Sequence, residues 1–232
     1  MKRCILQPLL HCIKCGECTA AKDRRKNTDE EVRKVIDNLK PIKGLSIVGA
    51  KRNDGERETN DFYPTPPSAT MALLEREKFD GNIWECACGK GAISEVLIEN
   101  GYDVISTDLI ERGYGIGNID FMQNDLFQKL EMQDNIITNP PFKYALEFVM
   151  QAKKIARNKI AFLLKTVFLE SVVRYDMFQD TEFPLKTVYQ FSRRLILHKY
   201  GTPKPKGGGL VCYAWFVWDK NYKGKPMIEW IK

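Results

Sequence analysis

Between residues 82 and 165, short apolar runs alternate with amphipathic ones, and this rhythm constrains the fold more than any other feature. NIWECA (82–87) reads as a buried strand and GAISEVLIENG as a helix; GYDVISTDL (101–109) is a second strand that ends at Asp108. DNIITNPPF brings a third strand, FKYALEFVMQAKKIA a helix with Tyr144, Ala145, Phe148 and Ala152 on one face, and KIAFLLK (159–165) a fourth strand. Strands separated by helices at this spacing form βαβ units, and so a parallel sheet covered by helices. Ahead of them, Ser68 is placed to cap a helix running through Met71, Leu73, Leu74 and Phe79. After residue 186 the pattern turns to strands: TVYQFS, RRLILHKY, and LVCYAWFVW behind the glycines at 207–209. The last is mostly apolar and is predicted to be a central antiparallel strand. The expected fold is α/β, a mostly parallel, doubly wound sheet with an antiparallel C-terminal strand.

The alternation covers only part of the chain. Residues 1–60 form a basic, cysteine-containing extension and linker, and residues 61–232 the main domain. In the extension, Thr28 and Glu31 make a capping box ahead of Val32, Val35, Ile36 and Leu39, and AKRNDGERETN (50–60) reads as a linker. Charge follows the same division. Residues 1–60 carry 14 Lys/Arg against 9 Asp/Glu and residues 186–232 carry 10 against 2, which leaves an acidic middle within an overall charge of +6. Basic flanks suit a phosphate-bearing partner, and they equally suit simple solubility. No apolar run approaches the ~20 residues needed to span a bilayer, and MKRCILQPLLHCIKC is a poor leader sequence. A cytoplasmic protein without a membrane partner is expected, its seven cysteines being thiols or metal ligands rather than disulfides.

Three places on the predicted strand ends carry chemistry. The turn Cys88-Gly89-Lys90-Gly91 joins a strand to a helix; its glycines let a ligand approach the backbone, and the helix start offers N–H donors. Glu85 lies just before it, where a carboxylate would meet a cationic or amino group, and Asp108 closes the next strand near the spacing of a ribose-binding acid. Asn139-Pro140-Pro141-Phe142 ends a later strand on the same rim. An exocyclic amine on a flat base has its lone pair delocalised into the ring, and must become more tetrahedral to attack a methyl group. The Asn139 amide oxygen and the Pro140 carbonyl would accept its two N–H bonds, the prolines would hold both rigid, and Phe142 would stack the base.

ECACGKG, TDL and TNPPF, in that order, resemble the motifs of S-adenosylmethionine-dependent methyltransferases that act on amino groups of nucleic-acid bases. The similarity covers roughly residues 61–218 and is strongest to the short adenine-specific DNA enzymes of phages and mobile elements. It implies a Rossmann-like class I methyltransferase fold, S-adenosylmethionine as cofactor, and DNA as partner in the cytosol of a bacterium or phage-infected host. By the same resemblance DFYPTPP places Tyr63 and Thr65 on the methionine part of the cofactor, and Glu85, Cys88, Gly89 and Gly91 in its glycine-loop motif. Asp108 becomes the ribose acid, and Asp120-Phe121 the pair at the cofactor's adenine, with Asp125-Leu126 as the rival pair. FLLKTVFLESVVR corresponds to the segment that lines the substrate pocket, and SRRLILHKYGTPKPKGGG (192–209) to a minimal phosphate-facing recognition region. An RNA adenine or protein glutamine methyltransferase, and a non-catalytic nucleic-acid-binding or anti-restriction protein, stand as alternatives. At the N-terminus, Cys12 and Cys15 with Cys18 and Cys4 or His11 form either a structural zinc site or a set of scattered thiols; oligomeric state and target sequence are left open.

Overall fold

A seven-stranded sheet organises the residues that the computed structural model describes, 63–123, 133–197 and 211–232. In chain order the elements are α1 (Pro67–Leu74), β1 (Ile83–Glu85), α2 (Ala92–Glu99), β2 (Val104–Ser106), β3 (Asn135–Thr138), α3 (Ala145–Ile155), β4 (Lys159–Lys165), α4 (Tyr175–Gln179), β5 (Leu185–Phe191), β6 (Tyr213–Asp219) and β7 (Met227–Ile231). The strand order is β2-β1-β3-β4-β6-β5-β7. Strands β2, β1, β3 and β4 are mutually parallel, β6 runs against both β4 and β5, and β7 runs with β5. Six strands, β1 to β5 and β7, therefore point their carboxyl ends at one edge of the sheet, and β6 alone points the other way.

The period of two along each strand sorts the core into two layers. In β4, Ala161 and Leu163 join Trp215 and Val217 of β6 in a cluster with Leu73 of α1 and Ile93, Val96 and Leu97 of α2. Phe162, on the other face, pairs in register with Phe216 and sits edge-on to Trp218 at 6.3 Å. With both faces covered, KIAFLLK must be apolar nearly throughout, which is why it reads as an uninterrupted run. Helix α3 closes the second layer with Phe148, Ala152 and Ile155, spaced four and three residues apart.

Several sequence expectations are corrected. The helix expected from Ser68 to Phe79 begins at Pro67 without a side-chain cap and ends at Leu74; a proline in its first turn needs no N–H partner, so no capping hydroxyl is required. RRLILHKY was expected to be a strand, but Arg193–Leu197 lies outside the sheet, while Leu195 and Leu197 pack on the core. The edge strand β7 was not expected. The N-terminal extension with its helix, the boundary at residues 60 and 61, Asp125-Leu126 and the basic stretch from residue 198 to 210 all lie outside the described residues.

Candidate active site

The site is built from the loops that leave β1, β2 and β3. After β1 the chain turns through Gly89 (φ 59°) and Gly91 (φ 85°), both in the left-handed region that glycine adopts at no steric cost. Gly91 is the N-cap of α2. Gly91 is also required by contact: a Cβ built there would fall 2.3 Å from the Tyr114 ring. Asp108, after β2, accepts from the Gly89 N–H at 2.8 Å and the Ile110 N–H at 2.9 Å. Turn and acid are thus joined by a direct hydrogen bond. A carboxylate has about four lone-pair positions, so two donors leave Asp108 room to accept from a ligand hydroxyl.

Glu85 faces the other way. It is 2% exposed and accepts from both the backbone and hydroxyl of Ser94, whose Oγ lies 2.6 Å from Ser106 Oγ. Burial raises its pKa to about 8 against the pull of the Ser94 hydrogen bonds, with a further rise from the charge of Asp108. Glu85 is therefore largely a neutral acid clasping the first turn of α2, rather than an anion presented to an amino group. Cys88 is buried, and desolvation pushes its thiol pKa far up, so it is an inert wall of the turn.

Asp120 is exposed and its Oδ1 accepts from the Met122 N–H at 2.9 Å. Phe121 is 2% exposed, edge-on to Trp84 at 5.2 Å and beside Phe148 at 5.0 Å. Its ring is engaged in the core and offers no open face for stacking.

At the end of β3 the geometry converges on Asn139. Its Nδ2 donates to Thr65 Oγ1 at 3.1 Å and to the Tyr63 carbonyl at 3.3 Å. The Tyr63 carbonyl, which can only accept, sets this end of the amide as nitrogen, and Oδ1 is left buried with no partner among the described residues. Thr138 Oγ1 and Asn135 Oδ1 are likewise unpartnered; the hydroxyl turns freely, and Asn135, fixed through the Asp80 and Asn82 carbonyls, lies at the start of β3, at the opposite end of the strand from the site. A buried acceptor without a donor costs about 1–3 kcal/mol. The resemblance implies a cofactor contact for Tyr63 and Thr65; their contacts with Asn139 span 76 and 74 residues, and no local pattern announces them.

Pro140 is buried, and the Pro141 carbonyl accepts from the Tyr144 N–H at 2.9 Å to open a 3-10 turn over Phe142–Tyr144. Phe142 is half-buried, with the Tyr213 ring 5.4 Å away and the Lys165 ammonium 4.7 Å from its centroid. Lys165 lies in FLLKTVFLESVVR, the segment the resemblance puts at the substrate pocket, but neither it nor Tyr213 is among the site residues expected from the sequence. Lys165 left a signal, a cation ending an otherwise apolar strand on the rim that carries the site.

Among the described residues no group of three or more His, Cys, Asp or Glu is placed to hold a metal, and no helix is long and apolar enough to cross a membrane. The zinc expectation concerns Cys4, His11, Cys12, Cys15 and Cys18, which lie outside the described residues.

No protein-family model and no curated protein matches the sequence, but solved structures match the fold. A putative RNA methyltransferase from Pyrococcus horikoshii superposes with a TM-score of 0.53, covering 73% of this chain and 94% of that one at 15% identity. The modification subunit of a putative type I restriction enzyme from Vibrio vulnificus gives 0.52 over 89% of this chain at 12% identity, and this chain spans 50% of its length. The fold is the Rossmann-like class I methyltransferase fold. In a class I sheet of this kind ligands bind outside the carboxyl ends of the strands, and that is the edge on which the glycine turn, Asp108 and Asn139 are assembled.

Proposed function

We propose that this chain transfers a methyl group from S-adenosylmethionine to the exocyclic amino group of adenine in DNA. The observation that carries the reading is the buried, unpartnered Oδ1 of Asn139, whose amide nitrogen is already held by Tyr63 and Thr65. An acceptor fixed in this way needs an N–H donor to complete it, and a base amine is one. The neighbouring order of motifs, the basic flanks and a fold shared with nucleic-acid methyltransferases favour the same substrate.

The residues fit the cofactor. Gly89 and Gly91 give a bare turn at the start of α2, and Asp108, tied to that turn, has acceptor positions left for the ribose hydroxyls. When bound, S-adenosylmethionine supplies a methyl group on a positively charged sulfur. Asn139 Oδ1 and the Pro140 carbonyl accept the two amine hydrogens and draw the nitrogen toward a tetrahedral shape, a contribution of about 3 kcal/mol for one pre-placed partner. The glycine turn and Asp108, holding S-adenosylmethionine, would present its methyl group to the amine nitrogen that Asn139 and Pro140 hold in place. The base stacks on Phe142 in place of the Lys165 ammonium that lies over that ring. Neither Glu85 nor Cys88 takes part in the transfer.

Incubation with radiolabelled S-adenosylmethionine and separate DNA, RNA and protein substrates, followed by digestion and identification of the product, tests the proposal. N6-methyladenine in DNA is expected. Label confined to RNA or to a protein glutamine would reassign the substrate. Asn139→Ala should lower transfer roughly 100-fold or more while cofactor binding by calorimetry stays near the native value.

A further inference from the structure

Beyond β4 the chain forms a loop that points the wrong side chains at water. Val172 is 92% exposed and Val173 77%, with Val167, Leu169 and Tyr175 also exposed around them. A valine pair left this open forgoes roughly 1.5–3 kcal/mol of burial per side chain. The loop nonetheless has a defined shape. Arg174 Nε donates to the Phe168 carbonyl at 2.8 Å, its Nη2 donates to the Val167 carbonyl at 3.4 Å and to that of Glu170, and its guanidinium lies over the Phe168 ring. Ser171 Oγ accepts from the Val173 N–H at 3.2 Å. Phe168 anchors the base of the loop, 5% exposed and edge-on to Phe216 at 5.5 Å and Phe178 at 6.0 Å. Two exposed valines thus stand at the apex of a braced loop, presented before any partner arrives.

Topology places this apex on the working edge. The loop leaves the carboxyl end of β4, the strand next to β3, whose own carboxyl end carries Asn139. Lys143 follows β3, Lys165 ends β4, and Arg193 and Arg194 follow β5, which runs in the same direction. Glu170 and Asp176 are the acids of the loop itself. An apolar tip on an edge that also carries these cations suits a duplex nucleic acid better than a lipid or an apolar protein face: cations meet phosphates, and aliphatic wedges enter between stacked bases. The buried position of Asn139 Oδ1 supplies the need, since a paired adenine cannot reach it without leaving the stack.

We infer that Val172 and Val173 form a wedge that enters the DNA duplex beside the target adenine and holds the stack open while that base occupies the Asn139 site. The inference rests on the DNA reading above and adds the residues that make paired adenine accessible.

The test uses the full chain. Unmethylated genomic DNA is first treated with the protein and sequenced to locate the modified adenine. Duplexes of that site are then made with the adenine opposite thymine, or opposite an abasic position where it is already unpaired. Val172→Ser/Val173→Ser is expected to lose roughly tenfold or more on the paired substrate and to stay within about twofold of native on the abasic one, since unstacking a paired base costs a few kcal/mol. Val172→Leu/Val173→Leu, which keeps the wedge apolar, should retain activity on both. With 2-aminopurine in place of the target adenine, binding of the native chain should brighten its fluorescence and binding of the serine variant should not. Equal loss on both substrates, or no loss on either, overturns the wedge while leaving the DNA reading intact. A fall in self-association of the serine variant in sedimentation, with paired-substrate activity per protomer unchanged, would assign the valines to a subunit contact instead. Failure of the native chain to modify any DNA adenine would overturn the reading beneath, a result distinct from all of these.

Discussion

In the proposed reaction the Asn139 amide must keep one orientation, and Thr65 shares with the Tyr63 carbonyl in holding its nitrogen. The Thr65 hydroxyl accepts from Nδ2 at 3.1 Å, so removing it leaves the longer 3.3 Å bond to the Tyr63 carbonyl to hold the amide and loosens its orientation. Thr65→Val keeps the shape and deletes the acceptor. A fall in kcat of roughly 10- to 100-fold is expected, the scale of a lost positioning contact, with the cofactor Kd by calorimetry little changed. Weakened cofactor binding at intact kcat would instead return Thr65 to the cofactor contact implied by the YPTP resemblance. Glu85 makes a second test at this scale, through pH. Its folded pKa is raised from 4.5 to about 8 by burial. Between those values the unfolded chain has released the proton while the native state keeps it, so stability contributed at low pH is lost as pH rises through this window. Glu85→Gln, a neutral isostere that still accepts from Ser94, should flatten that decline. Thermal unfolding of both proteins from pH 5 to pH 9 measures it, and parallel curves would mean that Glu85 is ionised in the native state.

The glycine turn shows how one element meets two demands at once. Gly91 has φ 85° and the Tyr114 ring against its Cα. Gly91→Ala is expected to cost about 2 kcal/mol or more, combining a left-handed backbone with a clash. In a Tyr114→Ala background the clash is gone and only the backbone share remains, about 1 kcal/mol. Equal costs in both backgrounds, read from denaturant melts, would show that Tyr114 moves aside freely. The same contrast separates what was legible from what was not. Strand β4 and the turn after β1 are announced locally, by an apolar run and by two glycines two residues apart. The Asn139–Thr65 bond, the inward aim of Glu85 and the Tyr114 contact join distant segments and follow from packing alone. RRLIL has strand composition, yet β6 and β7 already occupy both edges of β5, so the segment continuing from β5 has no adjacent place to pair. Strand β7 was missed for the opposite reason. It is short, follows Pro226, and leaves Met227, Ile228 and Trp230 exposed, so neither alternation nor an apolar run marks it.

At the scale of the whole molecule the two edges of the sheet have separate duties. The carboxyl edge carries the candidate site and the valine loop; the opposite edge carries a buried clasp. Glu77, 2% exposed, accepts from Lys159 at 2.8 Å, Lys186 at 2.8 Å and Tyr189 Oη at 2.7 Å. Because β6 runs antiparallel, its end meets the starts of β4 and β5, and Asp219 lies 3.7 Å from Lys159 and 4.0 Å from Lys186. One carboxylate in the segment after α1 thereby ties the helical layer to the two strands that flank β6. Burial acts to raise the Glu77 pKa, but the hydrogen bonds from Lys159, Lys186 and Tyr189 outweigh it and hold the pKa below its ordinary 4.5. The stability it contributes is present above that value and is lost as pH falls through the lowered folded pKa. Glu77→Gln leaves two ammonium groups without their central partner. A buried pair broken from one side costs about 3 kcal/mol, and for a domain of this size that is roughly 6–12 °C in Tm. The gap between native and variant should be full at pH 7 and should close as pH falls through the lowered folded pKa, where the native carboxylate also takes up its proton. A gap that persisted unchanged at low pH would mean that packing around Glu77, rather than its charge, secures this edge. Cofactor binding should be unaffected throughout, because the clasp and the site lie at opposite ends of the same strands.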